Sequence, residues 1–137
     1  MFDVEELART TIDCGFHIHK KLGPGLLESV YETVLAASLR RRGLRVEQQK
    51  PIAIHFDGLS IAEGFRADLV IEGSLIVEVK SVERTAPVHA KQLLTYLRLT
   101  EQPLGLLMNF GCETFREGLK RVLNGPSGFV PPGREPD

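Results

Sequence analysis

Apolar residues recur at helical spacing in two segments near the start of the chain and again in its second half. The pattern predicts a first helix over residues 3–21 and a second over residues 27–42. Between them, Leu22-Gly23-Pro24-Gly25 is a strong helix breaker. A third helix is predicted over residues 86–100, with Pro87 at an early helical position.

Between the second and third helices the apolar spacing shortens towards the alternation typical of strands. Strands are predicted over residues 46–49, 52–56 and 60–65, and Asp57-Gly58 is a hairpin turn signal between the last two. Residues 68–80 follow as a second hairpin. This part of the chain is therefore expected to form three or four antiparallel strands.

The remaining segments complete a single predicted domain over residues 1–124. Residues 104–110 form an apolar run that predicts a buried strand, and residues 115–123 fit either a short helix or an edge strand. Residues 125–137 are rich in Pro and Gly and are predicted to be a disordered tail. The element order predicts an α/β domain in which helices flank a mixed sheet.

Composition narrows the range of functions. The chain has 137 residues, 42% of them hydrophobic, and a formal net charge of -1, which is not typical of proteins that coat nucleic acid nonspecifically. Its acidic start predicts no secretory signal, and no apolar run is long enough for a membrane span. Cys14 and Cys112 have no metal-ligand spacing, so free thiols and a cytoplasmic location are expected.

The hairpin over residues 68–80 carries charges where a strand that only packs would carry none. If its turn is centred on Gly73, Asp68 lies opposite Glu78, and Lys80 shares their face of the sheet. A two-residue turn at Glu72-Gly73 would instead slip the register by one and place the two carboxylates on opposite faces. A shared site is therefore possible only with the odd-length turn.

In that register the two opposed carboxylates predict a divalent-metal site. Like charges directly opposite destabilise a sheet unless a cation lies between them, and the Val79 carbonyl is a nearby third oxygen ligand. Lys80 could then orient water or stabilise charge on a phosphate. The alternative is that Glu78 and Lys80 form the solvent face of an amphipathic strand. A strand covered on both faces is favoured by the apolar neighbours Leu75, Ile76, Val77 and Val79.

Asp68 followed by Glu78-Val79-Lys80 resembles the signature of the PD-(D/E)XK nuclease superfamily. Within the superfamily, the chain most resembles the small bacterial GxxExxY proteins. Their name motif is present as Gly25-Leu26-Leu27-Glu28-Ser29-Val30-Tyr31, and the resemblance covers about residues 5–124. One departure is Ala67, which precedes Asp68 where the superfamily name has proline.

The resemblance implies a restriction-endonuclease-like core of order α-β-β-β-α-β, with the first helix as an N-terminal addition. It implies Mg²⁺- or Mn²⁺-dependent hydrolysis of phosphodiester bonds in DNA or RNA. Asp68, Glu78 and the Val79 carbonyl would hold the metal, and Lys80 would be the catalytic lysine. Glu28 resembles the acidic residue that many members bring to the metal from an N-terminal helix.

The third helix and the second helix supply the predicted substrate contacts. Gln92 and Tyr96 are four residues apart, so they share a helix face and resemble the residues that touch the substrate backbone. Gln92 could equally be a solvated helix residue, and Glu28 could simply stabilise its helix N-terminus. Tyr31 either reaches the same cleft or caps the core.

Nucleic acid is therefore the expected partner. Little of the chain lies beyond the core, so weak sequence specificity is expected, or a homodimer or partner protein that supplies it. The alternative function is a catalytically silent nuclease-fold binding or accessory module.

Overall fold

The structure, a computed structural model, describes residues 2–125 of the chain, so the predicted tail lies outside the described residues except for Gly125. The elements follow in the order α1 (Val4–Leu22), α2 (Glu28–Arg41), β1 (Val46–Phe56), β2 (Leu59–Ile71), β3 (Leu75–Lys80), α3 (Pro87–Thr100), β4 (Leu104–Asn109), α4 (Phe115–Gly118) and β5 (Leu119–Leu123).

The three long helices begin and end close to the predicted positions because the local signals are strong. Asp3 caps α1 by accepting a hydrogen bond from the Glu5 amide, and Gly23 ends the helix with φ 71°. Pro87 opens α3, where its missing amide hydrogen costs nothing. Glu101 ends α3 in the left-handed conformation with φ 56°.

The five strands form one sheet in the order β1-β2-β3-β4-β5. Neighbouring strands are antiparallel, except that β3 and β4 are parallel and are joined through α3. A parallel pair needs such a crossover, whereas antiparallel neighbours are joined by short turns. The mixed sheet predicted from the element order is confirmed.

Helices cover both faces of this sheet. On one face, α1, α2 and α4 bury a cluster that includes Leu7, Leu35, Leu39, Val77, Met108 and Phe110. On the other face, α3 buries a smaller cluster that includes Leu93, Leu97, Phe65, Ile76 and Leu107. The central strand β3 is consequently buried along its length apart from the half-buried Lys80, as a strand packed on both faces should be.

The structure corrects three details of the predicted strands. The two short strands predicted at 46–49 and 52–56 are one edge strand, β1, in which Pro51 is tolerated because an edge strand has no partner on one side. The strand predicted at 60–65 continues through the first arm of the second hairpin as β2. Residues 115–123 form both predicted alternatives, a single helical turn followed by an edge strand.

Two expectations about the rest of the molecule can also be compared with the structure. Cys14 and Cys112 are free thiols, the first buried and the second half-buried. Among the described residues, no helix has the length and apolar character required to span a membrane.

Candidate metal centre

The turn between β2 and β3 has three residues and is centred on Gly73. Leu69 pairs with Val77, and the ladder stays in register from there to the turn. The next pair in the same register is Asp68 with Glu78. The odd-length turn that the predicted site requires is therefore confirmed, and it places the two carboxylates opposite each other.

Glu72 holds this turn in place. Its amide donates to the Arg45 carbonyl (2.9 Å), and its carboxylate accepts from the Arg45 amide (2.6 Å). Glu72 and Gly73 both have positive φ, 51° and 68°. The register at the site is thus fixed from outside the hairpin, by the residue that precedes β1.

The two carboxylates each accept a hydrogen bond from the other strand's backbone. The Asp68 amide donates to Glu78 Oε2 (2.9 Å), and the Val79 amide donates to Asp68 Oδ2 (2.8 Å). Backbone pairing between the strands stops at Leu69 and Val77, so these side chains take its place. The site therefore lies where β2 and β3 begin to separate.

Glu78 is only 8% exposed, and this burial is the largest cause of its shifted pKa. Its pKa is raised to about 8, first by desolvation and then by the nearby negative charge of Asp68. The hydrogen bond from the Asp68 backbone and the positive charge of Lys80 oppose the shift, and Glu28 adds slightly to it. A cation bound between the two carboxylates would offset the repulsion between their negative charges.

Lys80 ends β3 beside Asn109 of β4 and is half-buried. Its ammonium group makes no hydrogen bond or ion pair with another described residue. Asn109 is fully buried and fixes the segment that follows Lys80: its Oδ1 accepts from the Val82 and Gly111 amides, and its Nδ2 donates to Thr85. The sequence analysis did not identify this organising role of Asn109.

Glu28 is the first residue of α2. Its pKa is raised, mainly by desolvation, with further contributions from Asp68 and Glu32, while Lys80 and the Ser81 amide act in the opposite direction. The structure therefore brings Glu28 within electrostatic reach of the hairpin. Its position at the helix N-terminus is also compatible with the dipole role.

Tyr31 does not line an open cleft. It is fully buried and stacks on Phe110, with ring centroids 4.7 Å apart. Its hydroxyl accepts a hydrogen bond from the Leu26 amide and donates one to the Gly23 carbonyl. The hydroxyl thus holds the loop before α2, and of the two alternatives for Tyr31 these contacts favour the core role.

The two α3 residues occupy different environments. Tyr96 stacks on Phe65, with ring centroids 3.8 Å apart, and its pKa is raised by desolvation and then by the charges of Glu78 and Asp68. Tyr96 is therefore a half-buried neighbour of the carboxylates. Gln92, one turn earlier, is exposed and its side chain bonds to no described residue.

Three further polar residues form a hydrogen-bonded chain that ends at Asp68, and the sequence analysis did not identify them. Gln49 of β1 donates to Asp68 Oδ1 and also to Glu32 of α2, and Gln48 donates to Glu32 as well. The only sequence signal is a pair of adjacent glutamines in a predicted strand. Nothing in their spacing shows that both side chains reach the same carboxylate.

The donor set suits a hard divalent cation. Mg²⁺ is usually held by one or two carboxylates and keeps several waters, and Asp68 and Glu78 supply two carboxylates. The Val79 carbonyl points to the same side of β3 as the Val79 amide, towards Asp68, because both groups of one residue lie on one side of a strand. Within residues 2–125, no three or more His, Cys, Asp or Glu side chains already form a cluster that could hold a metal.

An open groove lies next to the end of β3. Its volume is about 310 Å³. It is formed between the loop before α2 and the segment after Lys80, and its lining residues are Pro24, Gly25, Leu26, Ser81, Val82, Glu83 and Gly111. The Ser81 hydroxyl joins the two sides by donating to the Leu26 carbonyl (2.6 Å).

A five-stranded mixed sheet between helices, with opposed carboxylates at the end of a central hairpin, defines an α/β protein with a restriction-endonuclease-like fold. The family model of the PD-(D/E)XK nuclease superfamily matches residues 5–122, and the chain belongs to that superfamily. Comparisons with curated proteins and with solved structures give no match.

Proposed function

We propose that the protein is a Mg²⁺- or Mn²⁺-dependent nuclease of the GxxExxY group that hydrolyses phosphodiester bonds in DNA or RNA. The observation that supports this most directly is that Asp68 and Glu78 lie opposite each other across the β2–β3 hairpin, with Lys80 two residues further along the same strand and so on the same face as Glu78. Membership of the nuclease superfamily supports the same reaction class.

In this proposal, Asp68, Glu78 and the Val79 carbonyl hold the metal, and Glu28 approaches from α2. A divalent ion bound there supplies Lewis-acid polarisation of the phosphate and lowers the pKa of a bound water. The protein residues fix the oxygen ligands: the Asp68 and Val79 amides each hold one carboxylate oxygen in place. Such positioning by outer hydrogen bonds orients metal ligands.

Lys80 supplies a fixed positive charge for the negative charge that develops on the phosphate. Its ammonium is free to do so because it makes no ion pair with another residue between 2 and 125. Tyr96, whose ring stacks on Phe65, lines the site from α3. Gln92 is exposed on the same helix and contacts the substrate backbone.

The net charge of the chain affects how strongly it can bind nucleic acid. A net charge of -1 provides little nonspecific attraction to a polyanion, so affinity has to come from the site or from a second chain. The proposal therefore includes weak sequence specificity, with a homodimer or a partner protein supplying the rest. The two free thiols suit a reducing compartment, and the proposed location is the cytoplasm.

A second candidate is a nuclease-fold binding or accessory module without catalysis. One observation favours it: the Asp68 and Glu78 carboxylates are already engaged by backbone amides, and residues 2–125 contain no assembled acidic cluster. Titration calorimetry with Mn²⁺ separates the two functions. The nuclease binds the ion and Asp68→Asn does not, whereas the accessory module binds none.

The decisive assay follows cleavage of single- and double-stranded DNA and RNA with and without Mg²⁺ or Mn²⁺. We expect metal-dependent cleavage by the wild type and a loss of at least about 100-fold in Lys80→Met, with Mn²⁺ binding retained. Lys120→Met is the control because Lys120 is an exposed strand lysine on β5, and it should cleave like the wild type. Cleavage at the wild-type rate by Lys80→Met would refute the assignment.

A further inference from the structure

A chain of hydrogen bonds runs from α2 through β1 to Asp68. Gln49 Nε2 donates to Glu32 Oε1 (2.7 Å) and to Asp68 Oδ1 (3.1 Å). Gln48 Nε2 donates to the other oxygen of Glu32 (3.2 Å). One amide group thus connects the half-buried Asp68 with Glu32, a carboxylate that is only 8% exposed.

The backbone of β1 adopts a left-handed conformation at Gln49, between residues that pair with β2 in one register. Gln49 has φ 50°, although it lies within a strand and is not glycine. Side chains of adjacent strand residues normally point to opposite faces, so Gln48 and Gln49 would not ordinarily reach one carboxylate. Non-glycine residues persist in this conformation only where their surroundings enforce it, and such residues concentrate at functional sites.

The orientation of each amide is determined by its partners. Arg40 donates to Gln48 Oε1 (3.2 Å), which leaves the Gln48 amino group for Glu32. Because Gln49 lies between two carboxylates, which only accept hydrogen bonds when ionised, its amino group must face both of them. Its two hydrogens are therefore directed to Glu32 and Asp68.

We infer that Gln49 is a positioning residue for Asp68 and that Glu32 anchors it to α2. Gln49 holds Oδ1 of Asp68, and the Val79 amide holds Oδ2, so the carboxylate plane is fixed from both sides. Loss of an outer-shell partner of this type costs a metal site about 10- to 100-fold in affinity. The part of this inference that concerns metal binding rests on the proposed function.

The test compares Gln49→Met with Gln48→Met. Both substitutions replace a glutamine of β1 by an unbranched side chain of similar length, and both remove one bond to Glu32. Only Gln49→Met also removes the bond to Asp68. Urea unfolding followed by circular dichroism shows that each variant is folded before binding is measured.

The first measurement is Mn²⁺ affinity by titration calorimetry. We expect affinity to fall by about 10- to 100-fold in Gln49→Met and to remain within about twofold of the wild type in Gln48→Met. Unchanged affinity in Gln49→Met would overturn the inference. An equal loss in both variants would also overturn it, because it would show only general support of the fold by Glu32.

The second measurement does not need the metal. In chelator-treated protein, the proton resonance of the Val79 amide reports its hydrogen bond to Asp68 Oδ2. It should move upfield in Gln49→Met and stay in place in Gln48→Met. If the wild type binds no Mn²⁺, the nuclease proposal fails and this resonance alone decides the inference; an unmoved Val79 resonance in Gln49→Met refutes it.

Discussion

Replacing Glu78 by glutamine should remove the loss of stability that this residue causes in the metal-free protein as the pH rises. The folded pKa of Glu78 is about 8, against a reference value of 4.5. Between these values the folded protein keeps a proton that the unfolded chain has lost, so the free energy of unfolding falls as pH rises. The stabilisation from this group is complete below the reference value and is lost by about pH 8.

The size of the effect follows from the same two values. Each unit of difference corresponds to about 1.4 kcal/mol, which gives an upper limit of about 5 kcal/mol for Glu78 across the whole interval. Glutamine has no charge to bury and can still accept the hydrogen bond from the Asp68 amide, whose present length to Oε2 is 2.9 Å. The free energy of unfolding of the Glu78→Gln protein should therefore lack this pH-dependent contribution.

The assay is urea unfolding in the presence of a chelator, followed by circular dichroism from about pH 5 to about pH 8. The difference in unfolding free energy should shift in favour of Glu78→Gln by up to about 1.4 kcal/mol per pH unit. Glu113→Gln, at an exposed glutamate, is the control and should follow the wild type. If the Glu78→Gln and wild-type curves are parallel, the buried carboxylate is ionised and the argument from burial and Asp68 is wrong.

Two further substitutions test the segments that hold the site. Tyr31→Phe removes the hydroxyl that joins the Leu26 amide to the Gly23 carbonyl, and urea unfolding should show a loss of about 1–3 kcal/mol; a loss smaller than this range would contradict the loop-holding role. Gly111→Ala should cost about 1–3 kcal/mol in the same assay, because its new Cβ would overlap backbone atoms of Val82, which cannot move aside as a side chain can. Gly15→Ala should cost less, since the three atoms nearest to its Cβ belong to the side chains of Phe115 and Met108 and not to backbone.

The consequence of the hairpin register could be predicted because it depends on parity alone, although the sequence leaves the choice between a two-residue and a three-residue turn open. Once the turn is centred on Gly73, the opposition of Asp68 and Glu78 follows from strand geometry. The burial of β3 could be predicted for a similar reason, since an apolar run without alternation is typical of a strand packed on both faces.

The surroundings of Asp68 could not be predicted in this way. Gln49 bonds to Glu32 and Asp68 from a left-handed backbone conformation, and hydrophobic periodicity contains no information on that conformation. For a related reason, the sequence does not decide whether Tyr31 reaches the cleft or caps the core: its place in the motif indicates closeness to Glu28, but the direction of its side chain depends on stacking with Phe110. Sequence spacing located the residues, and tertiary contacts determined their roles.

The exchange of hydrogen bonds between the hairpin carboxylates and the opposite backbone has a consequence for evolution. Asp68 and Glu78 each satisfy an amide of the neighbouring strand, so selection for folding alone can preserve them after activity is lost. Lys80 satisfies no such partner within residues 2–125. If the proposed function holds, substitution at the lysine position with both acids intact is therefore the better marker, among relatives, of a descendant that no longer cleaves.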